Sequence, residues 1–408
     1  MTAFIKNRET SEKNTIKILL VLPFFHPHPG GSQKYAEELF VHLKKAHPEI
    51  EIDVLCYNTD QAAGYEEYRG LKIYRVPCFN ILSGKFTLPR PVSLVKKLYQ
   101  LSKNKYNFVN THIRFFDTCW WVWAYAKIIK AESIFTGHCA SHPNHQNPMV
   151  RLIAKLVDLT IAKFSLRFYN IITVTNECAA NFFAKTLRVK PNQIIYGSVD
   201  TNIFKPQQNL PKRKIPKTNL ILGPNDILIT YVGRLIWSKG VSIFYEVAKD
   251  ILNRFPEKVF FVIAGPGELQ DKLAKYIVEN NLSQKIFLTG SLNSGEVQGL
   301  LGISNIFVYP SFHSEGFPQA ILEAGASGCL VIATDTGGTK EVVKNKETGL
   351  LIFPKNKTAL KKKIVWAIEN PKQTKTISQN MRRLLIKGFD GEIQSERFFS
   401  LTHRLNQP

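Results

Sequence analysis

The sequence has no apolar run long enough to cross a bilayer. A membrane-spanning helix needs about 18 or more consecutive apolar residues, and the longest candidates here, residues 16–25 and 119–126, are much shorter. The polar residues 1–14 precede the first run, which leads into His-Pro-His-Pro-Gly-Gly rather than a small-residue cleavage site. No signal peptide is therefore predicted, and we expect a cytoplasmic protein.

Paired cysteines are also lacking. The six cysteines are scattered at positions 56, 78, 119, 139, 178 and 329 without a C-x-x-C motif, which favours reduced thiols over disulfides. His138, Cys139, His142 and His145 lie close together in the sequence, but their spacing matches no standard zinc pattern. We predict no metal site.

Acidic residues are too few to balance the basic ones. Lys and Arg number 54 against 32 Asp and Glu, a formal net charge of +22, and residues 85–105 hold six basic residues and no acidic one. An anionic membrane surface, a nucleic acid or a generally basic proteome would each account for this charge. Because no zinc finger, RNP aromatic pair or KH loop is present, we expect no nucleic-acid partner. The membrane surface and the basic proteome both stay open.

The chain does contain an alternation of short apolar runs and helical patterns, which is typical of βαβ units with buried parallel strands. A length of 408 residues allows two or three domains. The sequence therefore predicts an α/β fold with mostly parallel sheets. The predicted strands are 17–25, 52–57, 71–76, 108–112, 133–136, 171–175, 193–196, 227–232, 260–264, 286–290, 306–309, 329–333 and 350–354.

A glycine pair follows the first predicted strand. Gly30 and Gly31 open a helix with apolar residues on one face, as in a turn that approaches a mononucleotide or in a plain tight turn. The dinucleotide fingerprint G-x-G-x-x-G is absent, so no dinucleotide site is predicted.

Two helical segments of the first half are unusually apolar. Residues 115–130 are rich in aromatic residues and predict a helix that faces the core. Residues 148–169 combine basic residues with apolar ones at helical spacing, among them Leu152, Ile153 and Leu156. Such a helix either covers a sheet or lies on lipid headgroups, and we expect it to be buried against the sheet.

The second half restarts after a proline- and lysine-rich connection at 204–225. A predicted strand leads into the loop Gly-Arg-Leu-Ile-Trp-Ser-Lys-Gly, which places Arg234 and Lys239 beyond the carboxyl end of the strand. Parallel sheets bind ligands at that end, and both cations suit a diphosphate, Arg as a fork and Lys as a point charge. His138 occupies the same kind of position after the strand 133–136.

Two carboxylates stand out in the segment 309–343. Glu315 lies in a loop, and Glu323, eight residues on, lies in a helix predicted to begin at Pro318. An ionised carboxylate can accept two hydroxyls and so hold a vicinal diol, while Gly337-Gly338 would leave backbone N–H groups open to an anion. Two diol sites and a phosphate site together describe a nucleotide sugar.

These residues resemble the donor-site signature of glycosyltransferase family 4, retaining enzymes of the GT-B fold. Glu315 and Glu323 match its E-x7-E pattern, and Gly337, Gly338 and Glu341 match G-G-x-x-E.

Two further motifs lie outside this segment. The loop with Arg234 and Lys239 matches the family's G-R-L-x-x-x-K-G. The segment with Tyr196-Gly197-Ser198 is similar to I-x-N-G-V-D but lacks the expected asparagine.

The resemblance implies two Rossmann-like parallel-sheet domains that face each other across a deep cleft. Residues 1–205 would form the acceptor-side domain, joined by a C-terminal crossover helix at about 391–408, and residues 206–390 would bind the nucleotide sugar. The implied reaction is retaining transfer of a hexosyl or N-acetylhexosaminyl group to a hydroxyl of a glycan or lipid-linked glycan, as in the synthesis of cell-surface polysaccharides or glycolipids.

The resemblance also implies a role for each site residue. Arg234 and Lys239 would stabilise the leaving diphosphate, Glu323 would hold the ribose, Glu315 would hold the sugar hydroxyls, and His138 would contact the sugar from the other side. The expected catalytic residues are His138, Glu315, Arg234 and Lys239. The expected donor-binding residues are Gly30, Gly31, Gly233, Arg234, Lys239, Gly316, Phe317, Glu323, Gly337, Gly338 and Glu341.

No cofactor is expected beyond a UDP-, GDP- or ADP-sugar donor, and no D-x-D carboxylate pair presents itself for a metal. An anionic membrane surface is a further candidate partner, which would place the protein on the inner face of the membrane. Two alternatives stay open: a sugar-nucleotide epimerase or phosphorylase on the same scaffold, and a non-catalytic relative that binds membranes.

Overall fold

The computed structural model describes residues 15–28, 30–81, 86–142, 147–312 and 316–405. Among the described residues up to 204, the strands are β1 (Lys17–Leu22), β2 (Glu51–Tyr57), β3 (Tyr65–Tyr68), β4 (Leu71–Val76), β5 (Cys78–Ile81), β6 (Phe86–Pro89), β7 (Phe108–His112), β8 (Glu132–Gly137), β9 (Ile171–Val174) and β10 (Gln193–Ile194). The helices there are α1 (Gly31–Ala46), α2 (Pro91–Ser102), α3 (Thr118–Ile128), α4 (Pro148–Val157), α5 (Lys163–Leu166) and α6 (Glu177–Phe182), with π-helical segments at Asp158–Ala162 and Phe183–Leu187.

The later residues repeat the alternation of strand and helix. Their strands are β11 (Arg213–Lys214), β12 (Ile221–Leu222), β13 (Ile227–Val232), β14 (Val259–Ala264), β15 (Ile286–Gly290), β16 (Ile306–Tyr309), β17 (Leu330–Thr334) and β18 (Leu350–Ile352). Their helices are α7 (Val241–Arg254), α8 (Gln270–Glu279), α9 (Ser294–Ile303), α10 (Gln319–Ala326), α11 (Thr339–Val342), α12 (Lys357–Glu369), α13 (Pro371–Gly388) and α14 (Gly391–Leu405), with a short 3-10 turn at Trp237–Lys239.

The strands form two main sheets, as the α/β prediction requires. The first has eight strands in the order β10-β9-β8-β7-β1-β2-β4-β3, in which β1 runs parallel to both β2 and β7, and β3 runs antiparallel to β4. The second has six strands, all parallel, in the order β15-β14-β13-β16-β17-β18. This is the doubly wound order, and its direction reverses between β13 and β16, where such sheets bind ligands.

Helices cover both faces of the second sheet. Because successive side chains of a strand point to opposite sides, each strand contributes to the core on both faces. In β16, Ile306 and Val308 join the core beneath α7, α8 and α12, whereas Phe307 and Tyr309 join the core beneath α10 and α13. Both faces therefore need apolar residues, and the strands read as continuous apolar runs.

The described residues divide into two compact units. The first comprises the described residues up to 135, together with 165–171 and those from 399 onward; the second comprises those of 136–164 and 172–398. Within the first unit, the imidazole of His47 stacks on Phe399 with ring centroids 3.7 Å apart, which fixes α14 to the C-cap residue of α1. No described helix is both long and apolar enough to span a bilayer.

The prediction of one buried helix over 148–169 is wrong in two respects. The helix is interrupted by the π-helical segment 158–162, and its large apolar side chains face solvent: Leu152, Ile153 and Leu156 are 58%, 54% and 52% exposed. Helical periodicity shows that a helix has an apolar face but not what covers that face, so the sequence could not decide this point.

The start of α10 also differs slightly from its prediction. Pro318 is the N-cap of this helix, with an extended backbone (ψ 106°), and the first helical residue is Gln319. The predicted strand 193–196 is shorter than expected and ends at Ile194.

Candidate active site

The loop after β13 carries two of the predicted cations at the point where the strand order reverses. Gly233 continues the strand by donating its backbone N–H to the carbonyl of Ala264 at 3.0 Å. The buried Tyr231 donates its hydroxyl to the carbonyl of Arg234 at 2.9 Å, which fixes the backbone from which the exposed Arg234 side chain projects. The guanidinium is therefore carried on an anchored loop.

Lys239 links the two strands on either side of the reversal. Its Nζ donates to the hydroxyl of Tyr309, the last residue of β16, at 3.0 Å, and lies 5.6 Å from the centroid of that ring. The ammonium group is thus held at the carboxyl ends of β13 and β16 together. That edge of a doubly wound sheet is where an anionic ligand is expected.

Hydrogen bonds also tie the loops themselves together. The backbone N–H of Phe312 donates to the carbonyl of Ser238 at 2.8 Å, and the hydroxyl of Ser311 donates to the same carbonyl at 3.3 Å. Thr334, at the end of β17, donates its hydroxyl to the carbonyl of Ser311 at 2.6 Å. Three neighbouring strands therefore contribute to one interconnected edge.

The two predicted diol-binding carboxylates can be described only in part. Glu323 lies in the middle of α10 and is 6% exposed. Glu315 lies outside the described residues, so the pair and its separation stay a prediction.

Three predicted site residues from distant parts of the chain meet at their backbones. A Cβ atom on Gly316 would lie 1.8 Å from the carbonyl oxygen of His138, and a Cβ atom on Gly338 would lie 2.3 Å from the carbonyl oxygen of Gly316. The backbone N–H of Gly338 donates to that same Gly316 oxygen at 3.1 Å. Only glycine fits at positions 316 and 338, because any side chain would overlap backbone atoms.

The side chain of Asn176 binds the Gly316 backbone where these segments meet, and the sequence did not predict this contact. Its Nδ2 donates to the carbonyl of Gly316 at 2.6 Å, and its Oδ1 accepts the backbone N–H of Ala179 at 2.6 Å as the N-cap of α6. The side chain is fully buried. An asparagine before a helix is a readable cap signal, but its second partner, 140 residues away, is not visible in the sequence.

Glu341 contacts the protein's own backbone in this structure. Its two carboxylate oxygens lie 3.0 and 3.1 Å from the backbone N–H of Glu177, which donates to them at the start of α6. Burial raises the pKa of Glu341, and the N–H groups of Glu177 and Cys178 oppose that rise by stabilising the charged form. The thiol of Cys178 donates to the carbonyl of Gly337 at 3.2 Å, so the first turn of α6 also contacts the glycine pair.

The ring of Phe317 packs against other aromatic side chains of the protein. The ring stacks on Phe389 at 5.6 Å and packs against Tyr196 at 5.7 Å. Tyr196 is the residue at which the sequence departs from the family's pattern, and here it fills an aromatic cluster. A Cβ atom on Gly197 would lie 2.7 Å from the Phe317 ring, so this segment approaches the loop closely.

The imidazole of His138 is half-buried at the end of β8. Burial lowers the pKa of His138 to about 3, because removal of water disfavours the charged ring. The imidazole is therefore neutral near pH 7 and can contact a ligand through hydrogen bonds but not as a cation.

Most of the predicted site residues lie in one compact unit. Among the described residues, the second unit contains His138, Gly233, Arg234, Lys239, Gly316, Phe317, Glu323, Gly337, Gly338 and Glu341. Gly30 and Gly31 lie in the first unit, where Gly30 is the N-cap of α1 and Gly31 its first residue. The described part of the chain contains no group of three or more His, Cys, Asp or Glu side chains placed to hold a metal ion.

Chemically, this edge of the second sheet offers cations on an anchored loop and closely packed glycine backbone. The neutral imidazole belongs to His138, which follows β8 of the first sheet and whose backbone carbonyl lies against Gly316. Cations held in place beforehand stabilise charge that develops on a phosphate without reorganising. The arrangement suits an anionic ligand that also carries hydroxyl groups.

Comparison with known proteins shows that two parts of the chain match two glycosyltransferase families. The family described as Glycosyltransferase Family 4 matches residues 29–203, and the family described as Glycosyl transferases group 1 matches residues 213–384. Together they cover well over half of the sequence.

Full-length relatives agree with these matches. The UDP-Gal:alpha-D-GlcNAc-diphosphoundecaprenol alpha-1,3-galactosyltransferase of Escherichia coli is 28% identical over 94% of this chain and 95% of its own length. Sucrose-phosphate synthase from Thermosynechococcus elongatus superimposes with a TM-score of 0.76 at 19% identity, over 96% of this chain and 99% of its own. Anabaena HepE, solved in complex with UDP, superimposes with a TM-score of 0.72 at 18% identity, over 95% of this chain and 100% of its own. The chain therefore belongs to the family 4, group 1 glycosyltransferases, which have the GT-B fold of two Rossmann-like domains.

Proposed function

We propose that the protein is a retaining glycosyltransferase that moves a hexosyl or N-acetylhexosaminyl group from a nucleoside diphosphate to a hydroxyl of a glycan or lipid-linked glycan. The observation that carries the proposal is Lys239, held by Tyr309 at 3.0 Å where the order of the second sheet reverses. This activity would serve the synthesis of cell-surface polysaccharides or glycolipids on the cytoplasmic side of the membrane.

Lys239 and Arg234 would neutralise the charge that grows on the diphosphate as the glycosidic bond breaks. Glu323 would accept hydrogen bonds from the ribose hydroxyls, and Glu315, with the backbone of Gly316 and Phe317, would bind hydroxyls of the sugar. The neutral imidazole of His138 would contact the transferred sugar. Because retention in this family is assigned to attack from the leaving-group side, no carboxylate is needed as a nucleophile.

The nature of donor and acceptor is suggested by the relatives. HepE was solved with UDP and with UDP-glucose, and the name of the E. coli relative gives UDP-Gal as donor and a diphosphoundecaprenol-linked sugar as acceptor. We propose a UDP-sugar as the first donor to test and a polyprenyl-diphosphate-linked sugar as the acceptor. The family matches at 29–203 and 213–384 support an acceptor-side domain over 1–205 and a donor-binding domain over 206–390.

The proposal is tested by ligand binding and transfer. UDP-, GDP- and ADP-sugars are screened by thermal shift, since a ligand that binds the folded state raises the unfolding temperature by mass action. We expect one nucleotide to stabilise the protein, and proton NMR of the product to show the anomeric configuration of the donor. An inverted product would refute retention, and an epimerised sugar formed from the donor alone, without acceptor, would point to the epimerase.

Replacing the bridging cation tests the mechanism. Lys239→Ala should lower the transfer rate by about 10²–10³-fold, the usual loss when one preorganised group that stabilises developing charge is removed. The matched control is Lys275→Ala, since Lys275 is 77% exposed on α8. Equal rates in the two variants would exclude the proposed role, and a wild-type protein that binds a nucleotide sugar but never transfers would indicate a non-catalytic relative.

A further inference from the structure

The helix α4 and the π-helical segment after it bury their small and polar residues and expose their large apolar ones, the reverse of a helix that covers a core. The residues that face inward are small or polar, namely Ala154, Asp158 and Ala162. The large apolar residues face outward, and we call them the α4 outer face: Met149, Leu152, Ile153, Leu156, Ile161 and Phe164, which are 71%, 58%, 54%, 52%, 44% and 59% exposed. An apolar row this dense on a surface marks an interaction site.

The π-helical segment keeps this row on one side. In an α-helix, positions three or four residues apart share a face, and the steps from Met149 to Leu152 and from Leu152 to Leu156 follow that spacing. The next member, Ile161, comes five residues after Leu156, across the π-helical segment Asp158–Ala162. A π-helix bonds residue i to i+5 and so absorbs one extra residue per turn, which lets the row continue to Phe164.

Within this stretch, all the charged residues that are not buried are basic. Arg151, Lys155 and Lys163 lie along the same stretch. Its only acidic residue, Asp158, has no exposed surface and pairs with His142, whose Nδ1 lies 2.7 Å from the carboxylate. At about 100° per residue, Arg151 and Lys155 fall at one margin of the apolar row, between it and the buried side.

We propose that the α4 outer face docks on an anionic lipid bilayer, lying in the headgroup plane with its apolar row inserted and its basic margin against the lipid phosphates. An apolar row with basic residues beside it is the pattern of an interfacial helix. A second copy of the chain is a poorer occupant, because a two-fold contact with the helices antiparallel would place the basic margins of the two copies side by side. The excess of 54 basic over 32 acidic residues adds a general attraction to anionic lipid.

This inference deepens the proposed function, since a lipid-linked acceptor would be met at the bilayer surface. It rests on that function only for its biological sense. Docking is measured without donor or acceptor, so failure of the sugar-transfer test leaves the docking test intact, and the reverse also holds.

The experiment is flotation of the full chain with vesicles of phosphatidylcholine alone or of phosphatidylcholine with phosphatidylglycerol. We expect wild-type protein to float with the anionic vesicles and to be released as salt screens the attraction. Leu152→Glu should weaken binding by at least about tenfold, because it removes an apolar anchor and adds a charge of the same sign as the lipid. Arg151→Gln with Lys155→Gln should weaken binding to anionic vesicles only.

The matched control is Val278→Glu, which places the same charge on a residue of α8 that is 67% exposed and should float like wild type. All variants should keep the wild-type unfolding temperature, since the changed side chains are exposed. The proposal is overturned if wild type does not float with anionic vesicles at low salt, or if Leu152→Glu floats equally well. It is also overturned if wild type is a dimer that Leu152→Glu dissociates, or if a soluble protein partner occupies the face in place of lipid.

A second exposed row supplies one more discriminating variant. Val92, Val95 and Tyr99 on α2 are 82%, 66% and 68% exposed beside Lys96 and Lys97. If Val95→Glu abolishes flotation while Leu152→Glu does not, the docking surface lies on α2 and the proposal for α4 is wrong.

Discussion

Substitution can separate two of the hydrogen bonds that the buried amide of Asn176 makes, apart from its longer bond to the Thr175 hydroxyl at 3.3 Å. Its Oδ1 caps α6 and its Nδ2 holds the carbonyl of Gly316, both at 2.6 Å. Asn176→Ala removes both bonds. Asn176→Asp keeps an acceptor for the cap, because aspartate is as good an N-cap as asparagine, but it replaces the donor with an oxygen that faces the Gly316 carbonyl.

The expected magnitudes follow from these contacts. Loss of the cap costs about 1 kcal/mol, and loss of a hydrogen bond costs about 0.5–1.5 kcal/mol. Asn176→Ala should therefore lower the free energy of unfolding by about 2 kcal/mol. Asn176→Asp should lower it by about 1–3 kcal/mol, because a buried acceptor is left without a donor. The Gly316 carbonyl accepts from Asn176 and from the N–H of Gly338. Both variants leave it only the second bond, so both should loosen the loop proposed to bind the sugar.

The assay combines urea denaturation with calorimetric titration of the nucleotide sugar. We expect Asn176→Asp to weaken donor binding by about tenfold, which corresponds to about 1.4 kcal/mol. Asn356, the N-cap of α12, provides the control, because its Oδ1 accepts the N–H of Ala359 at 2.8 Å and the cap is exposed. Asn356→Asp should change neither quantity. If Asn176→Asp unfolds and binds like wild type, the bond to Gly316 does not position the loop.

Two further predictions concern the same region. Gly338→Ala should destabilise the fold by about 1–3 kcal/mol and abolish donor binding, because its Cβ would lie 2.3 Å from the Gly316 carbonyl oxygen. The control Gly299→Ala, whose Cβ would meet nothing within 4 Å on α9, should instead stabilise by about 0.5–1 kcal/mol in urea denaturation; equal effects would contradict the steric argument. For His138, the folded-state pKa of about 3 lies below the unfolded value of 6.5, so the unfolded chain takes up a proton first as the pH falls. Between those two pH values, the free energy of unfolding of the wild type should fall, relative to that of His138→Gln, by up to about 1.4 kcal/mol for each unit by which the pH is lowered. If the free energies of unfolding of the two proteins change with pH in parallel, the shift is refuted.

Much of the second sheet was predictable from local patterns. Continuous apolar runs bounded by glycine and polar loops predicted β13, β15 and β16 at their observed bounds, because a parallel strand covered on both faces must be apolar throughout. The position of the loop after β13 was predictable for a related reason, since a loop that follows a parallel strand lies at the carboxyl-end edge of the sheet.

The partners of the site residues were not predictable, because they depend on packing between distant segments. Lys239 meets Tyr309 seventy residues away, and Asn176 meets Gly316 across 140 residues. Neither pairing leaves a periodic or motif signal, since each is one contact that arises only when two loops are brought to the same edge.

The sequence by itself predicted that 148–169 would be helical, basic and amphipathic, and that the second half would form a mostly parallel sheet with cations beyond the carboxyl end of one strand. Only the tertiary structure decided which side of that helix is covered. Small residues such as Ala154 and Ala162 allow close approach to the rest of the protein, so they occupy the buried side and leave Leu152 and Leu156 in solvent. Periodicity is the same whichever side is buried, and the outcome depends on the shape of the surface that the helix meets.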